Sequence, residues 1–226
     1  MAGSMIEFQA NGRLVPGYLA LPPGGRGPGL IVVQEWWGLV DHIRDVTDRF
    51  GSEGFVALAP DLYHGQPAKS PDEARKKLMA LNIAEAGRDM SGAAAHLLRL
   101  PQVTSRKVGI MGFCMGGQLA LYALQEYPER IAAAVDFYGI HPNVRLDAAR
   151  VRGAILAHFG RADQSVSEAD ARELVGRLAA AGVAVEVHFY DAGHAFFNDS
   201  RPQVFDRAAA TLALQRTLAF LRSHLA

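Results

Sequence analysis

Lys107-Val108-Gly109-Ile110-Met111-Gly112-Phe113-Cys114-Met115-Gly116-Gly117-Gln118-Leu119-Ala120-Leu121-Tyr122-Ala123-Leu124 is the stretch on which the reading of the fold turns. Residues 107–111 form a short apolar run, predicted to be a buried parallel strand, and residues 118–124 read as the start of a helix. Between them lies G-x-C-x-G, the cysteine form of a strand–turn–helix nucleophile elbow. Gly112 and Gly116 have a steric reason to be there, since the elbow presses strand and helix backbones together and leaves no room for a Cβ. Cys114 then sits at the tip of the turn, at the positive end of a helix dipole, which favours the nucleophilic thiolate. A lone cysteine is more commonly a small core residue. The position of this one, after a strand and before a helix midway along a βα-alternating chain, favours the elbow.

Working upstream, Ile6 to Leu21 alternates around Asn11-Gly12, a strong hairpin signal, so two antiparallel edge strands are expected to open the fold. Leu30 to Val33 is predicted to be a buried strand and Asp41 to Gly54 a helix, followed by a strand at Phe55 to Ala59. Ser70-Pro71-Asp72-Glu73 carries an N-cap, a proline at the first helical position and acids in the first turn. One or two helices then run to about Leu100. Downstream of the elbow, strands are expected at Ile131 to Tyr138, Ala154 to Phe159 and Val183 to Tyr190. Ser167 caps a helix to about Ala181, and Pro202 to Leu225 closes the chain as a long helix. A hairpin followed by repeated strand–helix units predicts an α/β fold, a mostly parallel twisted sheet with helices on both faces. Functional groups in such sheets gather at the carboxyl ends of the strands. Glu35, Tyr63, Cys114, Tyr138, Asp163 and His194 all fall at those exits.

Composition sets bounds on function. Lys plus Arg number 23, as do Asp plus Glu, so the formal charge is zero and neither nucleic acid nor an anionic membrane is an expected partner. With 226 residues and half of them apolar, one domain over 6–226 is expected. Residues 1–5 read as a cloning remnant. The single cysteine cannot form an intrachain disulfide, and no long apolar run or signal peptide is visible, which suggests the cytoplasm.

A thiol nucleophile needs a base to hold its proton, and histidine suits that task near neutrality. The histidine needs a carboxylate to fix its tautomer. Cys114, Asp163 and His194 follow the order nucleophile, acid, histidine, each at a strand exit. His158 and His188 lie inside predicted strands and read as structural. Asp136 and Asp191 are the alternative acids. Two backbone N–H donors are required for the oxyanion, and Met115 and Trp36 are the candidates.

Several short motifs together resemble the dienelactone hydrolase (carboxymethylenebutenolidase) family. They are Gln34-Glu35-x-x-Gly38, Pro60-Asp61-Leu62-Tyr63, Gly112 to Gly117, Tyr138-Gly139, Gly160-x-x-Asp163 and Ala192-Gly193-His194-Ala195-Phe196. The resemblance implies an α/β-hydrolase fold, a Cys-Asp-His triad, and a mechanistic Glu35 that hydrogen-bonds the resting thiol and moves when substrate binds. The family's enzyme also holds its substrate carboxylate with two arginines. Arg75 is a loose positional match for the first, and where the second would fall this chain has Phe197-Asn198, with Arg201 a little further on. Asparagine cannot replace a bidentate arginine, so the resemblance leaves the substrate open.

Trp36, Trp37, Tyr63, Tyr138 and Phe197, with Arg75, Asn198 and Arg201, are the candidates for contact with a small ester or lactone. Core packing is the alternative for the aromatic residues. No histidine–carboxylate cluster has ligand spacing and no phosphate-binding glycine loop occurs, so neither metal nor organic cofactor is expected. A monomer or small homo-oligomer is expected. The alternatives to a hydrolase are a non-catalytic ligand-binding protein on this fold and a thiol redox sensor.

Overall fold

The computed structural model of the chain describes residues 2–225. The hairpin forms as expected, from β1 (Ser4–Ala10) and β2 (Arg13–Ala20), and Asn11 and Gly12 turn it with φ of 51° and 76°. Positive φ at both central residues matches the right-handed twist of the flanking strands. β1 reaches back into the segment set aside as a remnant, with Ser4 opposite Leu19 and Met5 opposite Tyr18. Met1 of that segment lies outside the described residues.

Six more strands complete the sheet: β3 (Gly29–Val33), β4 (Val56–Pro60), β5 (Val108–Phe113), β6 (Ile131–Phe137), β7 (Ala154–Gly160) and β8 (Ala184–Tyr190). Their order is β1-β2-β4-β3-β5-β6-β7-β8. Only β1 of the hairpin is an edge, because β2 pairs antiparallel with β4, and every later pairing is parallel.

The helices divide between two cores. Ile31, Val33 and Ile110 face one side, where they meet α3 (Ile83–Arg99), α4 (Met115–Glu126) and α5 (Glu168–Ala180). Leu30, Val32, Met111 and Phe113 face the other, against α1 (Asp41–Ser52) and α6 (Arg207–Leu225). Strands covered on both faces explain why these runs are apolar throughout rather than alternating. The helical stretch before the elbow is two helices, α2 (Pro71–Ala80) and α3, each capped by a side chain: Ser70 accepts from the Glu73 N–H and Asn82 from the Glu85 N–H. The closing helix starts at Arg207, not Pro202. Asp206 Oδ1 accepts the Ala209 N–H at 2.9 Å and caps it there, while residues 202–204 form a turn.

At the elbow, a Cβ on Gly112 would run into the carbonyl oxygen of Gly116, and one on Gly116 into those of Val33 and Gln34. Backbone atoms cannot yield as a side chain can. Gly116→Ala should therefore lower the unfolding free energy by about 2–3 kcal/mol. Gly176, exposed in α5 with nothing near its missing Cβ, is the contrast. Gly176→Ala should raise it by about 0.5–1 kcal/mol. Urea titration of both variants checks the pair, and a neutral Gly116→Ala would mean that strand and helix are not pressed together here.

Candidate active site

Cys114 joins β5 to α4 with φ 54° and ψ −123°, a strained conformation for a residue with a side chain. Its N–H is held by the Phe137 carbonyl at 2.9 Å and its own carbonyl accepts the Gly117 N–H at 3.0 Å. Tyr138 and Ala195, at φ 47° and 59°, share the strain, and all three border one cavity. That cavity has a volume of about 220 Å³ and lies over the carboxyl ends of the strands. Glu35, Trp36, Cys114, Tyr138, His194 and Arg201 are among its lining residues.

Behind His194, its Nδ1 pairs with Asp163 Oδ2 at 2.7 Å. Asp163 is buried, and its Oδ1 accepts the N–H groups of Ser165 (2.7 Å) and Val166 (2.9 Å), which fixes the carboxylate in the turn after β7. With Nδ1 engaged, Nε2 is the ring nitrogen left for the cavity. Burial by itself would lower the His194 pKa. Hydrogen bonding to Asp163, then the hydrogen bond and charge of Cys114, outweigh burial and raise it to about 10.

The alternative acids lie elsewhere. Asp136 is fully buried beneath the elbow, where its Oδ1 accepts the Gly139 N–H at 2.8 Å. Burial, only partly offset by that bond, lifts its pKa well above the usual range. Asp191 is exposed and lies 3.5 Å from Arg161. His158 is buried between Tyr190 Oη (2.9 Å) and Thr217 Oγ1 (3.0 Å), and His188 pairs with Glu186.

Glu35 leaves β3 and turns inward. It is buried, with Oε2 accepting from Asn198 Nδ2 at 3.1 Å and Oε1 without a hydrogen-bond partner. Burial raises its pKa, against the lowering influence of His194, Asn198, Arg201 and Tyr138. The Tyr138 hydroxyl lies beside it without a well-formed bond, and the ring meets His194 edge-on at 5.0 Å. The Met115 N–H is the first backbone donor of α4, at the helix end where such groups have no partner one turn back. The loop holding Trp36 passes directly against that helix end, as the collision at Gly116 requires.

The remaining candidates are dispersed. Trp37 packs edge-on against Trp36 at 5.3 Å and Tyr63 is buried with its hydroxyl 3.6 Å from Met115 Sδ; neither lines the cavity. Phe197 is core, stacked on Phe113 at 5.4 Å and against Phe137 at 4.9 Å. Asn198 is buried against Glu35 rather than lining the cavity. Arg75 is exposed on α2, whereas Leu78 of the same helix does line the cavity. Ile140, Ser165 and Val166 line it too and were missed. They lie two or three residues beyond strand-exit groups already singled out, so the strand-exit rule would have found them if extended. Among the described residues no cluster of His, Cys, Asp or Glu could hold a metal ion, and no helix is long and apolar enough to cross a membrane.

The chain matches the dienelactone hydrolase family over residues 15–225. It is 38% identical to the protein named usf of Aquifex pyrophilus, covering 99% of both chains. It is 33% identical to the carboxymethylenebutenolidase of Pseudomonas sp. strain P51, covering 97% of this chain and 94% of that one. A solved structure from Klebsiella pneumoniae, assigned to the dienelactone hydrolases, superposes with a TM-score of 0.88 at 27% identity. That match covers 97% of this chain and 98% of the other. The α/β-hydrolase architecture expected from the motifs is thus the one observed.

Proposed function

This chain belongs to the dienelactone hydrolase family and is an ester or lactone hydrolase, and we propose that it acts through a covalent acyl-cysteine at Cys114. The observation that carries the proposal is a buried Asp163 bonded to His194 at 2.7 Å, with His194 and Cys114 lining one cavity. The Cys114 sulfur bonds to the acyl carbon as the bond to the leaving oxygen breaks. His194 receives the thiol proton and delivers it to that oxygen. Water then attacks the thioester and gives its proton to His194. The carbon–sulfur bond breaks, and the proton returns to sulfur. Met115 and Trp36 N–H groups hold the oxyanion in both halves. Asp163 keeps the imidazole proton on Nδ1, so that Nε2 can accept.

Glu35 works in this scheme as a carboxylate beside the thiol and imidazole. The substrate contacts are Trp36, Tyr138 and the apolar wall of Leu78, Ile140 and Val166, which suit a compact ring or short acyl chain. Arg201 lines the same cavity without an ion pair to any described carboxylate, and is the group to meet an anionic part of the substrate.

Rapid mixing with an activated aryl ester, quenched in acid, tests the covalent step. Intact mass should rise by the acyl group less the thiol hydrogen it replaces, and peptide mapping should place it on Cys114. Running neutral and carboxylate-bearing acyl groups side by side shows whether Arg201 selects charge. Turnover with no adduct at any quench time, even for esters with slow deacylation, would refute the acyl-cysteine.

A further inference from the structure

Resting on the reading of Glu35 as part of the reaction, we infer that Asn198, its amide oriented by Ser200, is a positioning residue that holds Glu35 by one oxygen and leaves the other free. Asn198 is buried, and its Oδ1 accepts from Ser200 twice, from N–H at 3.2 Å and from Oγ at 2.6 Å. An amide whose oxygen is engaged by two donors can turn only its NH2 toward Glu35. That NH2 donates to Glu35 Oε2, while Oε1 has no partner.

The loop is fixed by contacts that do not involve Glu35. Asn198 N–H donates to the Ala195 carbonyl and Arg201 N–H to the Asn198 carbonyl. Asp199 reaches α1, where it accepts from Arg49 at 2.6 Å and lies 3.6 Å from His42 Nδ1. The donor is therefore in place before Glu35 needs it, as preorganised support requires. Three further groups act on Glu35: His194 from the loop after β8, Arg201 from the same loop as Asn198, and Tyr138 from the exit of β6. Cys114 completes the shared cavity wall. Of the groups acting on Glu35, Asn198 is the one in a well-formed hydrogen bond with it.

The test is a double-mutant cycle read through pH–rate profiles. In Asn198→Ala, Glu35 loses the donor that favours its charged form. The acid limb of kcat/KM should move up by about one pH unit and the neutral rate should fall about tenfold. Asn198→Asp sets a second acid against Glu35 and should move the limb further in the same direction. Ser200 is exposed, so Ser200→Ala tests the amide's orientation with little risk to folding, and a smaller shift of the same sign is expected.

In a Glu35→Gln background, Asn198→Ala should cost less than about twofold more, since its effect runs through Glu35. Equal losses in both backgrounds, or an unmoved pH profile in Asn198→Ala, would overturn the inference. Wild-type kinetics in Glu35→Gln would instead remove Glu35 from the reaction. The infrared carboxyl band of Glu35, compared between wild type and Asn198→Ala, then decides the positioning claim alone: a shift in its ionisation supports it and none ends it.

Discussion

Cys114→Ala will lower kcat/KM for a small aryl ester by about a million-fold, the scale on which a triad enzyme loses rate with its nucleophile. The oxyanion donors of the proposed scheme, the Met115 and Trp36 N–H groups, are backbone groups that the substitution does not remove, so a small residual rate over water is expected. The loss will not come from unfolding. Alanine meets the same positive φ as cysteine at this turn, and the elbow is held by backbone bonds to Phe137 and Gly117 that the substitution leaves alone. Circular dichroism and the urea midpoint should match wild type. A second readout separates chemistry from folding. Cys114 is one of the groups that raise the His194 pKa, so NMR titration of the variant should find that pKa below about 10. Turnover within tenfold of wild type would remove sulfur from the mechanism altogether.

The parts of this fold that could be read in advance are those whose cause is local. Asn11-Gly12 dictates its turn, Ser70-Pro71 its helix start, and the glycines around Cys114 a close approach that only a tight strand-to-helix turn demands. Asp163 and His194 were readable because sheet topology, not local conformation, brings strand exits together. The segment after His194 was not readable. Ala195 takes a positive φ and reverses the chain, so Phe197 drops into the stack on Phe113 and Phe137. Asn198 turns inward to Glu35, 163 positions away in sequence. A run of Phe-Phe-Asn between a histidine and an arginine carries no period that distinguishes core from cavity. Its fate depends on Arg49 of α1 receiving Asp199 and on Glu35 offering an acceptor, both of them long-range conditions. The late start of α6 has the same origin, since the Asp206 N–H is tied to the Phe196 carbonyl before the helix begins.

Asp163→Asn should cost about ten-thousand-fold in kcat/KM while leaving the turn after β7 intact. The asparagine oxygen can keep the Ser165 and Val166 N–H bonds that Asp163 Oδ1 now accepts. Its NH2 then faces His194 Nδ1 as a donor. Nδ1 must become an acceptor, the imidazole proton moves to Nε2, and the nitrogen facing the cavity can no longer take a proton from sulfur. The same change has a thermodynamic signature. In wild type the folded-state pKa of His194, about 10, lies above its ordinary value of 6.5, so the folded state binds more protons between the two. The stability this contributes is fully present below about pH 6.5 and is lost as pH rises through about 10. In Asp163→Asn the main support is gone and burial pulls the imidazole the other way. Urea unfolding at pH about 6 and about 10.5 should therefore show wild type losing more stability across the interval than the variant does. If both lose the same amount, Asp163 does not hold the His194 proton, and the loss of rate in the variant needs another cause.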